Sequence, residues 1–241
     1  MMELRGKVAI VTGAGSGLGA AISATLAEAG CRVLVADVRA EAAAAVASSL
    51  TERRLEAAGA RVDVSSEAET GAAVERAIRD WGCVDVLVNN AGVDVTVPIE
   101  KLSAQQWDRI LAVNLRGPFL MSKAVLPLMK ARGTGHIVNV TSTAAKRAWA
   151  NAAAYHASKW GLLGLSHAMH VEARPHGVKV TAVVSGGMRT PFLLERFPEI
   201  DSGLLQDPQN VADTVRYVLS QPPETVIPEV MVLPMRETSW P

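Results

Sequence analysis

Residues 12–19, TGAGSGLG, decide how the rest of the chain is interpreted. They join an almost uninterrupted apolar run, KVAIVTG, to a segment whose apolar residues have helical spacing, GLGAAISATLAEAG. Such apolar runs are typical of strands that are covered on both faces. Glycines at the junction allow positive φ angles and let a phosphate approach the backbone, although a purely structural turn explains them about as well. The position between strand and helix favours a turn that holds a diphosphate.

Short β-branched runs alternate with alanine- and leucine-rich segments along the whole chain. We predict helices over residues 40–57, 103–132 and 152–173, with strands in the segments CRVLVAD, ARVDV, VDVLVNNAG, GHIVNVTS, VKVTAVVS and VIPEVMVL. Alternation at this spacing indicates a parallel sheet with helices on both faces. The sequence therefore predicts an α/β protein with a doubly wound parallel sheet of about seven strands, in one domain.

Composition excludes several classes of function. The chain has 241 residues, of which 49% are hydrophobic and 20% charged, and its 24 Lys and Arg residues balance 24 Asp and Glu residues. No net field therefore points to nucleic acid or to an anionic membrane. Cys31 and Cys83 adjoin apolar runs and are expected to be reduced and buried, and the five histidines lack metal-ligand spacing. With no signal-peptide pattern and no membrane-spanning run, we expect a cytoplasmic protein without metal.

Asp37 ends the second predicted strand, eighteen residues beyond Gly19. A carboxylate at this position can accept hydrogen bonds from both adenosine ribose hydroxyls and repels a 2′-phosphate. Arg39, two residues further on, could partly offset that repulsion. We expect NAD as the cofactor, with NADP less favoured, and a solvated aspartate at a strand end as the alternative.

Tyr155 and Lys159, in the segment YHASK, share one face of the predicted helix 152–173. An ammonium beside a phenol stabilises the phenolate and lowers the phenol pKa, which suits tyrosine to general acid–base catalysis. Ser142 ends the strand GHIVNVTS thirteen residues upstream of the tyrosine and can offer its hydroxyl to the same substrate oxygen. Asn114 interrupts an apolar helical stretch, and by itself it indicates a helix kink or a bond to a neighbouring carbonyl.

Five motifs in order resemble those of the short-chain dehydrogenase/reductase family, over nearly the whole chain. TGAGSGLG matches the family's T-G-x-x-x-G-x-G, NNAG (residues 89–92) its motif after the fourth strand, and YHASK its Y-x-x-x-K. Ser142 stands at the family's spacing before the tyrosine, and VDV places Asp63 where an adenine-contacting aspartate is expected. The resemblance implies a single-domain Rossmann fold that binds NAD(P) over residues 1–241.

The resemblance also implies the roles of the site residues. Tyr155 exchanges a proton with the alcohol or carbonyl oxygen while nicotinamide C4 exchanges a hydride, and Ser142 hydrogen-bonds that oxygen. Lys159 lowers the tyrosine pKa and holds the nicotinamide ribose, and Asn114 binds a water that links Lys159 to solvent. The implied catalytic residues are Asn114, Ser142, Tyr155 and Lys159. The implied cofactor contacts are Gly13, Gly15, Ser16, Gly17, Leu18, Gly19, Asp37, Asp63, Val64, Asn90, Ala91, Gly92, Tyr155, Lys159, Gly186, Met188 and Thr190.

Two segments depart from the family pattern. Ser185, in VVSGGMRTPF, replaces the usual proline, while Gly186, Met188 and Thr190 still align with positions that cradle the nicotinamide carboxamide. Loss of proline frees φ and adds a backbone donor. The C-terminal segment VIPEVMVLPMRETSWP lacks the family's V-D-G-G-like turn and ends near Trp240, which suggests a different sheet edge. The resemblance implies a homotetramer, and a homodimer is the alternative.

Residues 186–207 form the predicted substrate loop, which is expected to fold over the active site. Its predicted apolar wall comprises Phe192, Leu193, Leu194 and Phe197, although core packing explains some of these equally well. The predicted substrate contacts are Ser142, Trp149, Tyr155 and Phe192. The wall favours a small to medium, mostly apolar alcohol or ketone. Arg147 or Arg189 could instead receive the carboxylate of a 3-hydroxy acid.

The sequence therefore predicts an oxidoreductase that transfers a hydride between NAD(H) and an alcohol or carbonyl group, with Tyr155 as general acid and base. A catalytically weak dinucleotide-binding regulator and an NADP-dependent reductase of a 3-keto or 3-hydroxy acid are the alternatives. The complete Asn–Ser–Tyr–Lys set argues against the regulator. An epimerase or dehydratase is disfavoured because family members with those activities usually carry a longer substrate domain.

Overall fold

Seven parallel strands form one sheet in the computed structural model, which describes residues 4–236. The strands are β1 (Val8–Thr12), β2 (Arg32–Asp37), β3 (Ala57–Arg61), β4 (Val86–Asn89), β5 (Gly135–Ser142), β6 (Val178–Ser185) and β7 (Glu229–Val232). Their order across the sheet is β3-β2-β1-β4-β5-β6-β7. The winding reverses at β1, where Ile10 pairs with Leu34 of β2 on one side and with Leu87 of β4 on the other. Ligands of such sheets bind beyond the carboxyl ends of the strands at this switch point.

Helices cover both faces of the sheet. They are α1 (Gly17–Glu28), α2 (Ala40–Glu52), α3 (Glu67–Trp81), α4 (Ala104–Leu111), α5 (Gly117–Arg132), α6 (Ala153–Ala173), α7 (Pro191–Leu194) and α8 (Pro208–Leu219). Side chains alternate along β1, so Ala9 and Val11 pack with α1, α2 and α8. Val8 and Ile10 pack with α3, α5 and α6 on the other face. The predicted doubly wound α/β sheet of seven strands is confirmed.

Helix α2 ends at Glu52, not at residue 57 as predicted. Arg54 turns the chain with a φ of 61°, and the alanine-rich segment after it forms β3 by pairing along β2. The high helix propensity of alanine therefore loses to strand pairing in this segment. The predicted strand ARVDV is also shifted, because β3 ends at Arg61 and Asp63 lies beyond the strand.

The predicted helix over residues 103–132 is interrupted by a π-turn at Ala112–Arg116. A capping box opens α4, with the Ser103 hydroxyl accepting from Gln106 N and the Gln106 side chain accepting from Ser103 N. After the π-turn, α5 continues to Gly133, which closes it with a φ of 68°. Single π-helical turns inside α-helices are frequent at functional sites, and here the turn contains Asn114.

The surroundings of the cysteines only partly match the prediction. Both thiols are free, but only Cys31 is buried, whereas Cys83 is partly exposed. Within residues 4–236, no group of His, Cys, Asp or Glu side chains is arranged to hold a metal ion. In the same range, none of the helices has the length and apolar character needed to cross a bilayer.

Candidate active site

A cavity of about 620 Å³ lies beyond the carboxyl ends of the strands, around the switch point. Most of the residues predicted to bind the cofactor line it: Gly13, Ser16, Gly17, Leu18, Gly19, Asp37, Asp63, Val64, Asn90, Ala91, Gly92, Tyr155, Lys159, Met188 and Thr190. Phe192, a predicted substrate contact, also lines it. The fold therefore brings the glycine-rich turn and the YHASK helix to one space.

The glycine loop, residues 12–19, is packed so tightly that a side chain is excluded at Gly13 and at Gly19. Gly13 has a φ of +61°, and a Cβ there would lie 2.6 Å from the Cα of Ala91. A Cβ on Gly19 would lie 2.2 Å from the carbonyl oxygen of Gly13. Helix α1 begins within this loop, at Gly17, and the Ser16 side chain does not cap it. The first N–H groups of α1 are therefore available to an anion.

Asp37 lies at the end of β2 with only 6% of its surface exposed. Its Oδ2 accepts from Gly15 N at 2.9 Å, and its Oδ1 accepts from Arg39 N at 3.0 Å and Arg39 Nε at 3.4 Å. The Arg39 Nη2 also donates to Ser16 Oγ at 3.2 Å. Gly15 is thus turned towards Asp37 and lies outside the cavity lining. The guanidinium is held against the carboxylate, so the charge that would attract a 2′-phosphate is already partly neutralised.

Asp63 is fixed in its charged form beside the cavity. Ser65 donates both its N–H and its hydroxyl to Asp63 Oδ1, at 2.9 Å and 2.7 Å. These hydrogen bonds hold the pKa of the Asp63 carboxyl below its usual range. Asp63 is therefore an acceptor for polar groups in the cavity.

The NNAG motif ties the end of β4 to the glycine loop. Asn90 Nδ2 donates to the carbonyl oxygens of Thr12 and Gly13, at 2.9 Å and 3.0 Å. In return, Thr12 Oγ1 accepts from Asn90 N at 3.1 Å and from Ala91 N at 3.2 Å. These bonds cross the switch point and fix the floor of the cavity.

Asn114 uses its amide to hold the chain that follows NNAG. Its Oδ1 accepts from Val93 N and its Nδ2 donates to Val93 O, both at 2.8 Å, and Nδ2 also donates to Ser158 Oγ at 3.1 Å. Of the two local interpretations of this residue, a helix kink or a bond to a neighbouring carbonyl, the contacts agree with the second. Asn114 is fully buried and lies behind the cavity lining.

Lys159 lies on α6 one turn beyond Tyr155, with its Nζ 5.7 Å from the centre of the phenol ring. Nζ donates to the carbonyl oxygen of Val140 at 2.9 Å. Burial lowers the pKa of the ammonium to about 8, and the Asp94 carboxylate opposes this shift. The lysine can therefore lose its charge close to neutral pH.

Burial raises the pKa of Tyr155 to about 12. A hydrogen bond from Ser142 opposes this shift, and that hydroxyl also accepts from Ala144 N at 3.1 Å. The phenol pKa therefore differs from the lowered value expected from the sequence, because withdrawal from water outweighs the stabilisation of the phenolate. Ser142 lies at the tyrosine, as predicted, although it is not part of the cavity lining.

Asp94 and Arg196 form a largely buried ion pair near Tyr155 that the sequence did not predict, although neither residue is part of the cavity lining. Their side chains are 6% and 22% exposed. The Asp94 charge raises the pKa of Tyr155 and the Arg196 charge lowers it, so both lie near the phenol. Asp94 follows NNAG by two residues and Arg196 follows Phe192 by four, and only their opposite charges could have suggested a pairing.

The predicted substrate arginines have other positions. Arg189 donates to Leu205 O at 2.6 Å and pairs with Asp207 at 3.4 Å, which fastens one end of the substrate loop. Arg147 does not line the cavity. Among the described residues, Arg196 is instead the arginine whose charge lowers the pKa of Tyr155.

Of the aromatic residues predicted to contact the substrate, Phe192 lies beside Tyr155 and Trp149 lies apart from them. The Phe192 ring lies 6.1 Å from the Tyr155 ring. Trp149 is outside the cavity lining: its backbone N–H donates to His156 Nε2 at 3.0 Å, and its ring packs edge-on against His156, 4.3 Å away. Contact between Trp149 and substrate therefore remains a prediction.

Hydrogen bonds hold the end of β6, where Ser185 replaces the family's usual proline. Ser185 Oγ donates to Thr141 O at 3.2 Å, and Gly186 N donates to Val232 O at 2.9 Å, so Gly186 faces β7 and not the cavity. A bridge between Met188 and Gln206 brings the two ends of the substrate loop together. The predicted association of the C-terminal tail involves Trp240, which lies outside the described residues.

Comparisons with known proteins agree with this geometry. The family described as short chain dehydrogenase matches residues 7–201. D-threitol dehydrogenase of Mycolicibacterium smegmatis is 44% identical over 181 residues, which are 75% of this chain and 70% of that protein.

Two solved structures resemble the whole fold. A metagenomic short-chain oxidoreductase in complex with NADP is 36% identical, with a TM-score of 0.86 over 97% of this chain and 99% of that one. The 3-ketoacyl-(acyl-carrier-protein) reductase of Brucella melitensis complexed with NADH is 33% identical, with a TM-score of 0.89 over the same shares. Since the family match covers most of the chain and includes the glycine loop and the YHASK helix, this protein belongs to the short-chain dehydrogenase/reductase family of oxidoreductases.

Proposed function

We propose that the protein transfers a hydride between NAD(H) and the CH–OH or carbonyl group of a small to medium substrate, with Tyr155 as general acid and base. The observation that carries the proposal is the shared cavity, which has the glycine loop and Asp37 at one end and Tyr155 with Lys159 at the other. The name of the D-threitol dehydrogenase relative supports an alcohol as substrate.

The residues present fit a nicotinamide dinucleotide. The uncapped start of α1 and the glycines of the loop suit its diphosphate. An ionised carboxylate has about four acceptor positions. Three N–H donors already bind Asp37, and the acceptor capacity that remains would serve the adenosine ribose hydroxyls. When bound, the dinucleotide supplies or accepts the hydride. NAD is favoured because the Arg39 charge is held against Asp37.

Tyr155 and its neighbours would handle the proton. At neutral pH a phenol with a pKa near 12 is protonated, so Tyr155 is ready to donate to a carbonyl oxygen during reduction. During oxidation the phenolate must form, and the hydrogen bond from Ser142 stabilises it. Lys159, which has a pKa near 8, would supply positive charge and hold the nicotinamide ribose. Asn114 would hold the water that connects Lys159 to solvent.

We further propose that the protein acts in the cytoplasm as a homotetramer or homodimer. An apolar groove formed by α4, the π-turn, α5 and α6 supports association with a second copy. Leu111, Leu115, Phe119 and Leu165 line it, and 45% of the Phe119 surface is exposed in the single chain. Residues 186–207 would act within the same domain as the substrate loop.

The test is oxidation and reduction of NAD(H) and NADP(H) with a panel of alcohols, ketones and 3-keto acids, comparing the wild type with Tyr155→Phe. We expect turnover with NAD(H) that falls by about 10³-fold or more in Tyr155→Phe, because the variant keeps the ring and loses the transferable proton. Tyr217→Phe is the matched control, since Tyr217 is exposed on α8 and should keep full activity.

Three results would change the proposal. Turnover that survives in Tyr155→Phe would remove the role assigned to the phenol. A preference for NADPH with 3-keto acids would favour the alternative reductase. NADH binding without turnover of any compound would favour a dinucleotide-binding regulator.

A further inference from the structure

We propose that the Asp94–Arg196 pair is a recognition site for a second hydroxyl group of the substrate, so that the substrate is a vicinal diol, a polyol or the matching hydroxyketone. The inference rests on the proposed function, because it assumes that the reacting oxygen binds at Tyr155. It differs from the mostly apolar substrate that the sequence favoured.

Asp94 has acceptor positions to spare. Its Oδ1 accepts from Val95 N at 2.7 Å, and its Oδ2 accepts from Arg196 Nη1. Two oxygens of an ionised carboxylate together offer about four acceptor positions, so these two bonds leave room for a hydroxyl donor. The side chain is almost fully buried, which makes an additional polar partner valuable.

Arg196 is held against Phe192 by two contacts. Nε donates to the carbonyl oxygen of Phe192 at 2.8 Å, and the guanidinium carbon lies 4.1 Å from the centre of the Phe192 ring. Phe192 in turn neighbours Tyr155. This chain of contacts places the arginine close to the phenol and rigidly enough to select for the position of a polar group.

The chemistry of the pair selects the class of ligand. A hydroxyl can donate to the Asp94 carboxylate and accept from Arg196 at once, and it leaves the pair electrically neutral. A methyl group at the same place would remove water from both charges and replace none of its hydrogen bonds. A carboxylate would be attracted by Arg196 but repelled by Asp94. A neutral substrate with a hydroxyl beside the reacting carbon therefore fits best.

Sites that hydrogen-bond a substrate hydroxyl discriminate strongly against analogues that lack it. We therefore expect a wild-type kcat/KM with NADH that is at least about 10-fold higher for 3-hydroxybutan-2-one than for butan-2-one. The same order should hold for butane-2,3-diol against butan-2-ol with NAD⁺. The four compounds have the same carbon chain, so the ratio reports the second oxygen, and a variant of the pair separates binding of that oxygen from its electronic effect on the carbonyl.

The variants that test the pair are Asp94→Asn and Arg196→Gln. Each should lower the hydroxyketone-to-ketone ratio by about 10-fold, since a site that no longer pairs the hydroxyl loses its discrimination. Turnover of butan-2-one should change less than turnover of 3-hydroxybutan-2-one. Asp85→Asn is the matched control, because Asp85 is also a shielded carboxylate paired with an arginine, Arg132, but it accepts from Val8 N at the amino end of β1, the opposite end of the sheet from the cavity. Its ratio should equal that of the wild type.

A pair that only fastens the substrate loop would give a different pattern. Both variants would then lower turnover of all four compounds equally, and an unchanged ratio would overturn the proposal. A wild-type preference for butan-2-one would overturn it as well.

If none of the four compounds is turned over, calorimetry measures the binding of the two ketones to the Tyr155→Phe variant loaded with NADH. Tighter binding of 3-hydroxybutan-2-one than of butan-2-one, lost in Tyr155→Phe/Asp94→Asn, supports the hydroxyl site, and equal binding rejects it. Failure to bind NADH would instead reject the proposed function, and the hydroxyl site with it.

Discussion

The glycine loop (residues 12–19) and the substrate loop (residues 186–207) both border the cavity, but they are built by different means. In the glycine loop, backbone lies against backbone, and a single added carbon on Gly13 or Gly19 would come within 2.6 Å of another residue. In the substrate loop, long side chains meet one another, and 39% of the Phe192 surface and 38% of the Phe197 surface remain exposed.

This difference separates two requirements of one site. The glycine loop, which would hold the cofactor, needs positions without side chains, so it tolerates almost no substitution at its glycines. The part that would select a substrate depends on replaceable side chains such as Phe192 and Arg196. Changes in the first part should therefore abolish binding and destabilise the fold, whereas changes in the second should alter kinetics and leave the fold intact.

The largest expected effect is that of Gly13→Ala. The new Cβ would meet the backbone of Ala91, at a φ of +61° that L-residues rarely adopt. Left-handed strain of about 1 kcal/mol and overpacking of about 1–3 kcal/mol should together lower the free energy of unfolding by about 2–4 kcal/mol. NADH binding should become undetectable by fluorescence titration. Gly71→Ala is the control: no atom lies within 4 Å of its Cβ, so this α3 variant should gain about 0.5–1 kcal/mol. Equal behaviour of the two variants would refute the argument.

An intermediate effect is expected for Asp37→Asn. Removing the charge ends the repulsion of a 2′-phosphate and leaves Arg39 without its ionic partner. The ratio of kcat/KM for NADPH to that for NADH should rise about 10- to 100-fold, equivalent to about 1.4–2.8 kcal/mol. Steady-state kinetics with both cofactors measure it, with Asp80→Asn on the exposed face of α3 as the control. An unchanged ratio would mean that Asp37 does not select the cofactor.

The smallest effect is expected for Phe192→Leu. The ring borders Tyr155 and supports Arg196, so the KM for substrate should rise by less than about 10-fold. Because the side chain is partly exposed, the free energy of unfolding should change by only about 0.5 kcal/mol. Phe197→Leu is the matched comparison, with the same exposure and a weaker contact, 5.5 Å, to Arg196. A KM effect as large in Phe197→Leu would show that contact with Tyr155 is not what matters.

The sequence predicted those parts of the site that depend on backbone conformation and strand ends. The glycine loop, Asp37, NNAG and the Tyr155–Lys159 spacing could be recognised because each lies beside a regular element with a fixed period. The end of α2 could not be predicted from the sequence, because it is set by the pairing of Ala57 with Val33 in another strand. The Asp94–Arg196 pair was missed for a similar reason, since 102 residues separate its members and no local pattern links them.

The Tyr155 pKa illustrates a further limit of sequence-based prediction. The i, i+4 spacing correctly put Lys159 beside the ring, but a spacing contains no information about the depth of burial. Burial raises the pKa of the phenol and lowers that of the ammonium, because withdrawal from water disfavours the charged form of each group. The proximity of two groups was predictable, and their ionisation was not.

The place of β1 between β2 and β4 has a consequence for the time course of folding. Strands β1 and β2 are joined by one helix and can pair early, whereas the bond from Val8 N to the Asp85 carboxylate closes a loop of 77 residues. Closing long loops and pairing distant parallel strands are slow steps. The Asn90 bonds to the glycine loop depend on the same closure. Competence to bind the nucleotide should therefore be acquired late, well after the first helices and strands have formed.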